Sequence, residues 1–555
     1  MLKVFQDGSY NPSLRVFGIH ELATLICKLL SRRDNARLLS VCHQLSYDIR
    51  SFVWEHINAV EPLVRMIPET RVEVYDNEPF SPYVTLYLPK SVDFSRLSFY
   101  APYIKYLDIP LTSPINAYEN WDDFLASTRP IDLLPNLEHL KLAIPSLPRG
   151  ETIPLDALNW VTVFLSSSLL SIQIYPDLAW DAPTEKFTHA WVSLDNATKL
   201  LRDISEKCHR LSSLMILPGD ITLQPIANSD PRAGQITEIV PTDAVFSRLH
   251  LAPDLVFPHF NHLRKLSVTP FILESAAFRA IGELPFLESL SIREQHVLNE
   301  WPKIYCSALN WDLTTQSFPV LRYLDLLDIT YDNIIRICTQ KQLAQALHSL
   351  RPIIAWTGVR KNQLARLLSL LVRYHSPLAR LSLPHIPEDW NVFPQCVEHL
   401  SCLKLTHLSM PQPDFEGFDY ELAELLPGIP ELISLELKEQ ECGIPLQIQQ
   451  LRLIATSLPN LIHLSAPIDF TSARYIEEQD FFSCNPQSIG PFCLETGIHN
   501  EFDDWGGVLK KYGEKLARYL HALWPNIVCI AKNTPDFGDF SNFIRLNDLI
   551  TQLRD

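Results

Sequence analysis

Several ingredients are scarce in this chain, and each scarcity excludes something. No apolar run reaches the length of about 18 residues that a membrane-spanning helix requires. The opening MLKVFQDGSYNPS lacks an apolar core followed by a small-residue cleavage site, so no secretory leader is expected. Cationic residues are in deficit: 47 Lys and Arg stand against 64 Asp and Glu, a net charge of −17. That balance argues against a general binder of nucleic acid or anionic membranes. The 11 Cys are odd in number and contain no Cys-x-x-Cys pair. They read as reduced, mostly buried thiols of a cytosolic or nuclear protein, and as neither a disulfide framework nor a zinc site. The single Asn-x-Ser/Thr sequon, Asn196-Ala197-Thr198, is no more than chance supplies.

Catalytic signatures are equally sparse. Gly is low at 16, and Gly506-Gly507 is an isolated pair with no phosphate-cradling loop around it. There is no Gly-x-Ser-x-Gly. Trp54-Glu55-His56 lacks the second His of a metalloprotease helix. No enzyme activity, cofactor or metal is therefore expected. What the chain does have is apolar content of 46% and 42 Pro, many of them flanking short apolar segments. At 555 residues this describes two to four ordinary domains or one long repeat array, punctuated by Pro.

The first organised stretch is Phe17 to Ile57. Leu22, Leu25, Ile26, Leu29 and Leu30 fall on one face of an α-helix. Asp34 or Asn35 can cap a second helix carrying Leu38, Val41, Cys42 and Leu45. Ser46 or Asp48 can start a third, with Ile49, Phe52, Val53 and Ile57 on one side and Trp54 beside them. Three helices in about 40 residues are too few to bury a sizeable core alone. The unit needs a support behind it or a partner in front, and an exposed apolar helical face marks an interaction site. The plainer alternative is an N-terminal helical cap on a larger domain.

The stretch resembles an F-box. Ile19, Glu21, Leu22, Ile26 and Leu29 match its first part, Val41 and Cys42 its second, and Val53-Trp54 its third. His20 stands where Pro is usual, His43 where a basic residue is usual, and Leu45 where Trp is usual. The resemblance covers about 40 residues. It implies docking on a Skp-type adaptor, and through it on a cullin–RING ubiquitin ligase. The residues it assigns to that contact are Ile19, Leu22, Leu25, Ile26, Leu29, Leu38, Val41, Cys42, Leu45 and Trp54.

After residue 100 one phrase, L-x-x-L-x-L, recurs eleven times. It runs from Ile104-Lys-Tyr-Leu107-Asp-Ile109 and Leu137-Glu-His-Leu140-Lys-Leu142 to Leu461-Ile-His-Leu464-Ser-Ala466, with Ile527-Val-Cys-Ile530 as a worn further copy. Spacing in the regular parts is that of a leucine-rich repeat. Wider gaps at 211–263, 321–378 and 461–527 hold insertions or unrecognised repeats. Helical segments precede many copies, as at 158–167, 197–208, 274–282, 420–426 and 446–457. Alternation puts the leucines on one side of each strand. No single unit can bury them, but stacked units share one core. The predicted fold is α/β: a three-helix N-terminal unit, then a curved solenoid with parallel strands inside and helices outside. Unrelated strands in an ordinary α/β domain are the weaker alternative.

F-box proteins commonly carry such repeats, and 94–107 is similar to a segment of fungal F-box proteins. The expected organisation is a tail to residue 16, the box at 17–57, a connection at 58–100, repeats at 101–466 and an irregular closing region at 467–555. Within the last, Val508 to Leu523 predicts an amphipathic capping helix, and 467–506 is acidic and aromatic. The residues flanking the second leucine of each phrase form the expected target-binding strip. It includes Tyr106, His139, Lys141, Lys265, Tyr323, Asp325, Arg380, His407, Glu436 and His463, and nine of its 22 positions are Ser. His139, His407 and His463 share one repeat position, but mostly in non-adjacent units, which makes a shared metal improbable. The expected role is a target-recognition adaptor in the cytoplasm or nucleus; a ligase-independent repeat scaffold is the alternative.

Overall fold

A computed structural model of the chain describes residues 16, 19–41, 43–75, 83–89, 92–110, 117–143, 155–174, 192–219, 257–273, 275–293, 311, 313–327, 329, 331–353, 362–383, 393–411, 418–438, 445–477, 490–496, 505–532 and 540–554. They belong to two compact units, Met1–Phe286 with Val297–Tyr305, and Leu287–His296 with Cys306–Asp555. No helix among the described residues is long and apolar enough to cross a membrane.

The first unit opens with three helices, α1 (His20–Leu29), α2 (Arg32–Leu38) and α3 (His43–Trp54). The boundaries differ from the sequence expectation. Ser31 caps α2, accepting the Asp34 N–H at 3.2 Å, whereas Asn35 is buried inside the helix. The helix stops at Leu38, Val41 lies in the turn that follows, and α3 begins at His43, before Ser46. Ala23, Cys27, Ile49 and Val53 fill the space between the helices.

Only Glu55 separates α3 from the first strand. Strand β1 (His56–Ile57) pairs in parallel with β2 (Tyr106–Pro110). Ile57 is therefore a fully buried strand residue and does not extend the helical face. Next come β3 (His139–Ala143), β4 (Ser171–Ile174), β5 (Ser213–Ile216) and β6 (Lys265–Val268), all parallel. Their register aligns the second apolar position of each phrase: Ile57, Leu107, Leu140, Ile172, Leu214 and Leu266. Every one is buried, as stacked repeats require. Because β5 pairs directly with β6, no repeat lies between them and the gap after Leu211 is an insertion. Besides short helical turns at Glu61–Val64 and Ser95–Tyr100, the described helices include α4 (Trp121–Thr128), α5 (Leu155–Val163), α6 (Leu194–Lys207) and α7 (Ser275–Gly282). An aromatic cluster of Trp121, Phe124, Trp160 and Phe164 holds α4 to α5. The Trp160 Nε1–H donates to the hydroxyl of Tyr118 at 3.1 Å.

The second unit repeats the plan. Its parallel strands are β7 (Ser289–Arg293), β8 (Tyr323–Leu327), β9 (Ser349–Ile353), β10 (Arg380–Ser382), β11 (His407–Pro411), β12 (Ser434–Lys438), β13 (His463–Ser465), β14 (Phe492–Thr496) and β15 (Ile527–Ala531). Here the aligned positions run from Leu290 to Leu494 and end on Cys529. Strands β9 and β14 are repeats that the phrase does not pick out: Pro352 and Thr496 stand at their third apolar position. The final copy is also shifted by one, because Cys529, not Ile530, takes the buried place.

Helices α8 (Tyr331–Cys338), α9 (Gln363–Arg373), α10 (Phe393–Ser401), α11 (Phe418–Leu425) and α12 (Ile448–Ser457) return the chain between strands, and α8 to α11 pack in sequence order. Each unit is thus an α/β leucine-rich-repeat stack. The closing helices α13 (Trp505–Leu523) and α14 (Phe540–Gln552) pack on each other, and α14 packs on the last strand. Leu509, Leu516, Tyr519, Leu520 and Leu523 of α13 are buried, while Tyr512 is half-buried.

Candidate functional site

Two surfaces remain once the core is assigned. The first is on the three helices. Residues 22, 25 and 29 lie on one side of α1, and 23 and 27 on the other, as a period of 3.6 dictates. Ala23 and Cys27 are buried, while Leu22, Leu25 and Leu29 are exposed, Leu29 to 88%. Ile19 at 48% and Val41 at 62% extend the exposed apolar group, and Tyr47 on α3 is also open. A cluster of this kind on a folded protein is ordinarily covered by something.

Not every residue assigned from the F-box resemblance belongs to it. Ile26 and Leu38 are half-buried. Leu45 falls on α3, and Cys42 lies outside the described residues. Trp54 is also half-buried, and part of it packs on its own chain. Its ring packs 4.6 Å from Tyr100, its indole Nε1 is buried, and two residues later the chain enters β1 at His56. It occupies the first position of an unrecognised repeat phrase and faces its own chain. Arg50 secures the same joint by lying 4.2 Å over the ring of Phe99.

The second surface is the strip of side chains flanking the buried leucines. The register places the ten residues expected there on that face. In the first unit, His56, Tyr106 and His139 stand side by side on β1, β2 and β3. Tyr106 and His139 stack at 4.7 Å, and His56 Nε2 lies 2.9 Å from Asp108 Oδ2. Lys141 and Lys265 sit further along, on β3 and β6.

In the second unit, Tyr323 and Asp325 are on β8, Arg380 on β10, His407 on β11, Glu436 on β12 and His463 on β13. Burial raises the Asp325 carboxyl pKa, and Arg351 on the next strand opposes the shift. His407 is held below the ordinary imidazole value, chiefly by burial and then by its neighbours Arg380 and His463. Its neighbours make a line: Ser434 Oγ is 3.1 Å from His463 Nδ1, and His463 Nε2 is 3.4 Å from Glu495 Oε2. Beside that line, Ser409 Oγ donates to Glu436 Oε2 at 2.5 Å, and Lys532 Nζ lies 3.7 Å from Glu436 Oε1. The order Ser434, His463, Glu495 has the residue types of an acyl-transfer triad. The N–H of Ser434, however, is spent on the carbonyl of Thr406, as a parallel ladder requires. The line is a hydrogen-bonded array running across β12, β13 and β14.

Sequence reasoning missed His56, Arg351, Cys493, Glu495, Val528 and Ile530, which share this strip because β1, β9, β14 and β15 join the ladder. A search allowing Pro or Thr at a leucine position finds two of those strands, β9 and β14. Among the described residues no group of three His, Cys, Asp or Glu could hold a metal.

No protein-family model matches the chain, and no curated protein does. Among solved structures it is similar to the leucine-rich repeat-containing protein LegL7 from Legionella pneumophila, at 14% identity and a TM-score of 0.33. The match covers 81% of this chain and 98% of that one. The fold described above rests on strand register and not on this likeness.

Proposed function

We propose that the chain is a target-recognition adaptor: helices α1 to α3 dock on a Skp-type adaptor of a cullin–RING ubiquitin ligase, and the repeats hold a target protein. The exposure of Leu22, Leu25 and Leu29 on one face of α1 carries this reading. Covering a Leu is worth about 1.5–3 kcal/mol, so a handful supplies useful affinity. The chain then contributes proximity, and the chemistry belongs to other subunits. The F-box resemblance of 17–57 supports the choice of partner, and the polar strip supports protein targets.

A pull-down with purified adaptor tests the reading. Leu22→Asp with Leu25→Asp removes two exposed contacts and leaves the half-buried Ile26 in place. Binding should fall to background with an unchanged thermal unfolding midpoint. Retention of the double variant at the wild-type level overturns docking through this face. It then leaves a ligase-independent repeat scaffold, which the substitutions His20 and Leu45 in the box already allow.

A further inference from the structure

Besides the repeat ladder, the first unit carries a small three-stranded sheet. Its order is Arg71–Tyr75, Tyr83–Tyr87, Ala117–Glu119, so Arg71–Tyr75 is an end strand. It pairs antiparallel with Tyr83–Tyr87 without a bulge, from Arg71 opposite Tyr87 to Tyr75 opposite Tyr83. Among the described residues no other segment pairs with it.

The middle strand is sealed on both faces, with Thr85 5% and Leu86 2% exposed. The end strand is open on both. Arg71, Val72, Glu73 and Val74 are all exposed, Val74 to 57%. Folded proteins blunt such edges with Pro, Lys, bulges, very short strands or a covering helix. The last strand of the second unit has such cover, because Asn547 of α14 bonds to both main-chain groups of Cys529. Arg71–Tyr75 has no Pro, Lys or bulge, and shows two β-branched apolar side chains instead. An edge of that composition is suited to strand addition.

The side chains choose the occupant. Alternation puts Arg71 and Glu73 on one face and Val72 and Val74 on the other. An added strand must therefore set an acid against Arg71, a base against Glu73 and apolar groups against the valines. The same strand of a second copy does this. Antiparallel pairing about a two-fold axis at Val72 sets Arg71 of each chain opposite Glu73 of the other. Val72 then meets Val72, and Val74 meets Thr70. Of the antiparallel registers centred within the strand, only this one opposes unlike charges; centring on Glu73 would oppose two carboxylates. The overlap ends at Thr70, because Glu69 has a left-handed backbone (φ 66°) that an extended strand does not continue.

We propose that Arg71–Tyr75 is a homodimer edge: two copies join through this strand, antiparallel about Val72, into one continuous sheet. Such an isologous contact closes on itself, so it yields a dimer and not a fibre. It uses no residue of the exposed α1 face and stands whether or not the adaptor binds.

Sedimentation velocity and light scattering on the full chain, from about 1 to 200 μM, test it. The mass should rise towards twice that of one chain. Glu73→Arg alone, or Arg71→Glu alone, turns two opposite-charge pairs into two like-charge pairs. Each should weaken the dimer at least about fivefold. Arg71→Glu with Glu73→Arg should restore it, which a merely misfolded edge does not do. Val72→Cys should form a disulfide-linked dimer on mild oxidation, because the two-fold axis brings its copies to about 4.5–5.5 Å between Cα atoms. Val74→Cys, which meets Thr70, should not. Both are made in a Cys402→Ser background, whose own cross-linking is the baseline. Leu22→Asp with Leu25→Asp should leave the dimer intact, so failure of adaptor docking and failure of this proposal read separately. A monomer at every concentration overturns the proposal, whether the edge then takes a foreign strand or none. So does a dimer indifferent to both charge reversals and to the position of the cysteine, or one lost with the α1 double variant.

Discussion

At the scale of single residues, the strip shows how one repeat position acquires different chemistry from its neighbours. His407 and His463 occupy the same place in the phrase, two strands apart with Ser434 between them. Burial and the adjacent Arg380 depress His407, so folding favours its neutral ring. The sign follows from linkage. The stabilising contribution is complete above the unfolded imidazole value near 6.5 and is lost as pH falls from there through the folded value. An NMR titration of the ring protons should place the His407 midpoint below the ordinary range, and Arg380→Gln should move it upward. A midpoint at the ordinary value in the wild type contradicts that environment. Trp54 teaches the opposite lesson. Its residue type and its place in the F-box pattern pointed outward, yet Tyr100, 46 positions later, holds it in. No local pattern carries that information.

At the scale of elements, eleven copies of the phrase were enough to read the strand–helix alternation, and the strands lie where their leucines put them. The copies that escaped include those in which Trp54, Pro352 or Thr496 fills a leucine position, and the last was read one residue out of register; the ladder tolerates them because neighbouring strands set the register. The end of the second unit is the clearest element-level device. As the last strand, β15 would leave backbone groups open on one side, a template for unwanted pairing. Asn547 of α14 closes it, accepting the Cys529 N–H at 2.9 Å and donating to the Cys529 carbonyl at 2.8 Å. Arg554 donates to the Ile527 carbonyl at 2.6 Å. Close helix contact makes this possible. A Cβ at Gly513 of α13 would sit 3.2 Å from Leu549 and 3.3 Å from Leu509. Asn547→Leu should cost about 1–3 kcal/mol by leaving two backbone groups unpaired, seen as a lower denaturant midpoint. Light scattering should also rise on heating. An unchanged midpoint means that water replaces the amide at no cost.

At the scale of the whole molecule, burial of thiols gives a readout of global integrity. Burial pushes Cys208, Cys338 and Cys529 up to about 12 and Cys396 to about 11, so almost no thiolate exists at neutral pH. Cys402 is exposed. Native-state alkylation mapped by mass spectrometry should label Cys402 quickly. The four buried thiols should react only with global unfolding. Rapid labelling of Cys338 in the native protein contradicts the packing of α8.

The amino-acid order alone determined the repeat, because alternation of leucine is a local property and each copy carries it intact. It also determined that α1 has an apolar side. The tertiary structure alone decided which apolar residues stay uncovered, that Trp54 packs on Tyr100, and that Asn547 closes an edge. Those outcomes depend on register and packing between segments distant in the chain, where one residue of slip moves every side chain to the other face.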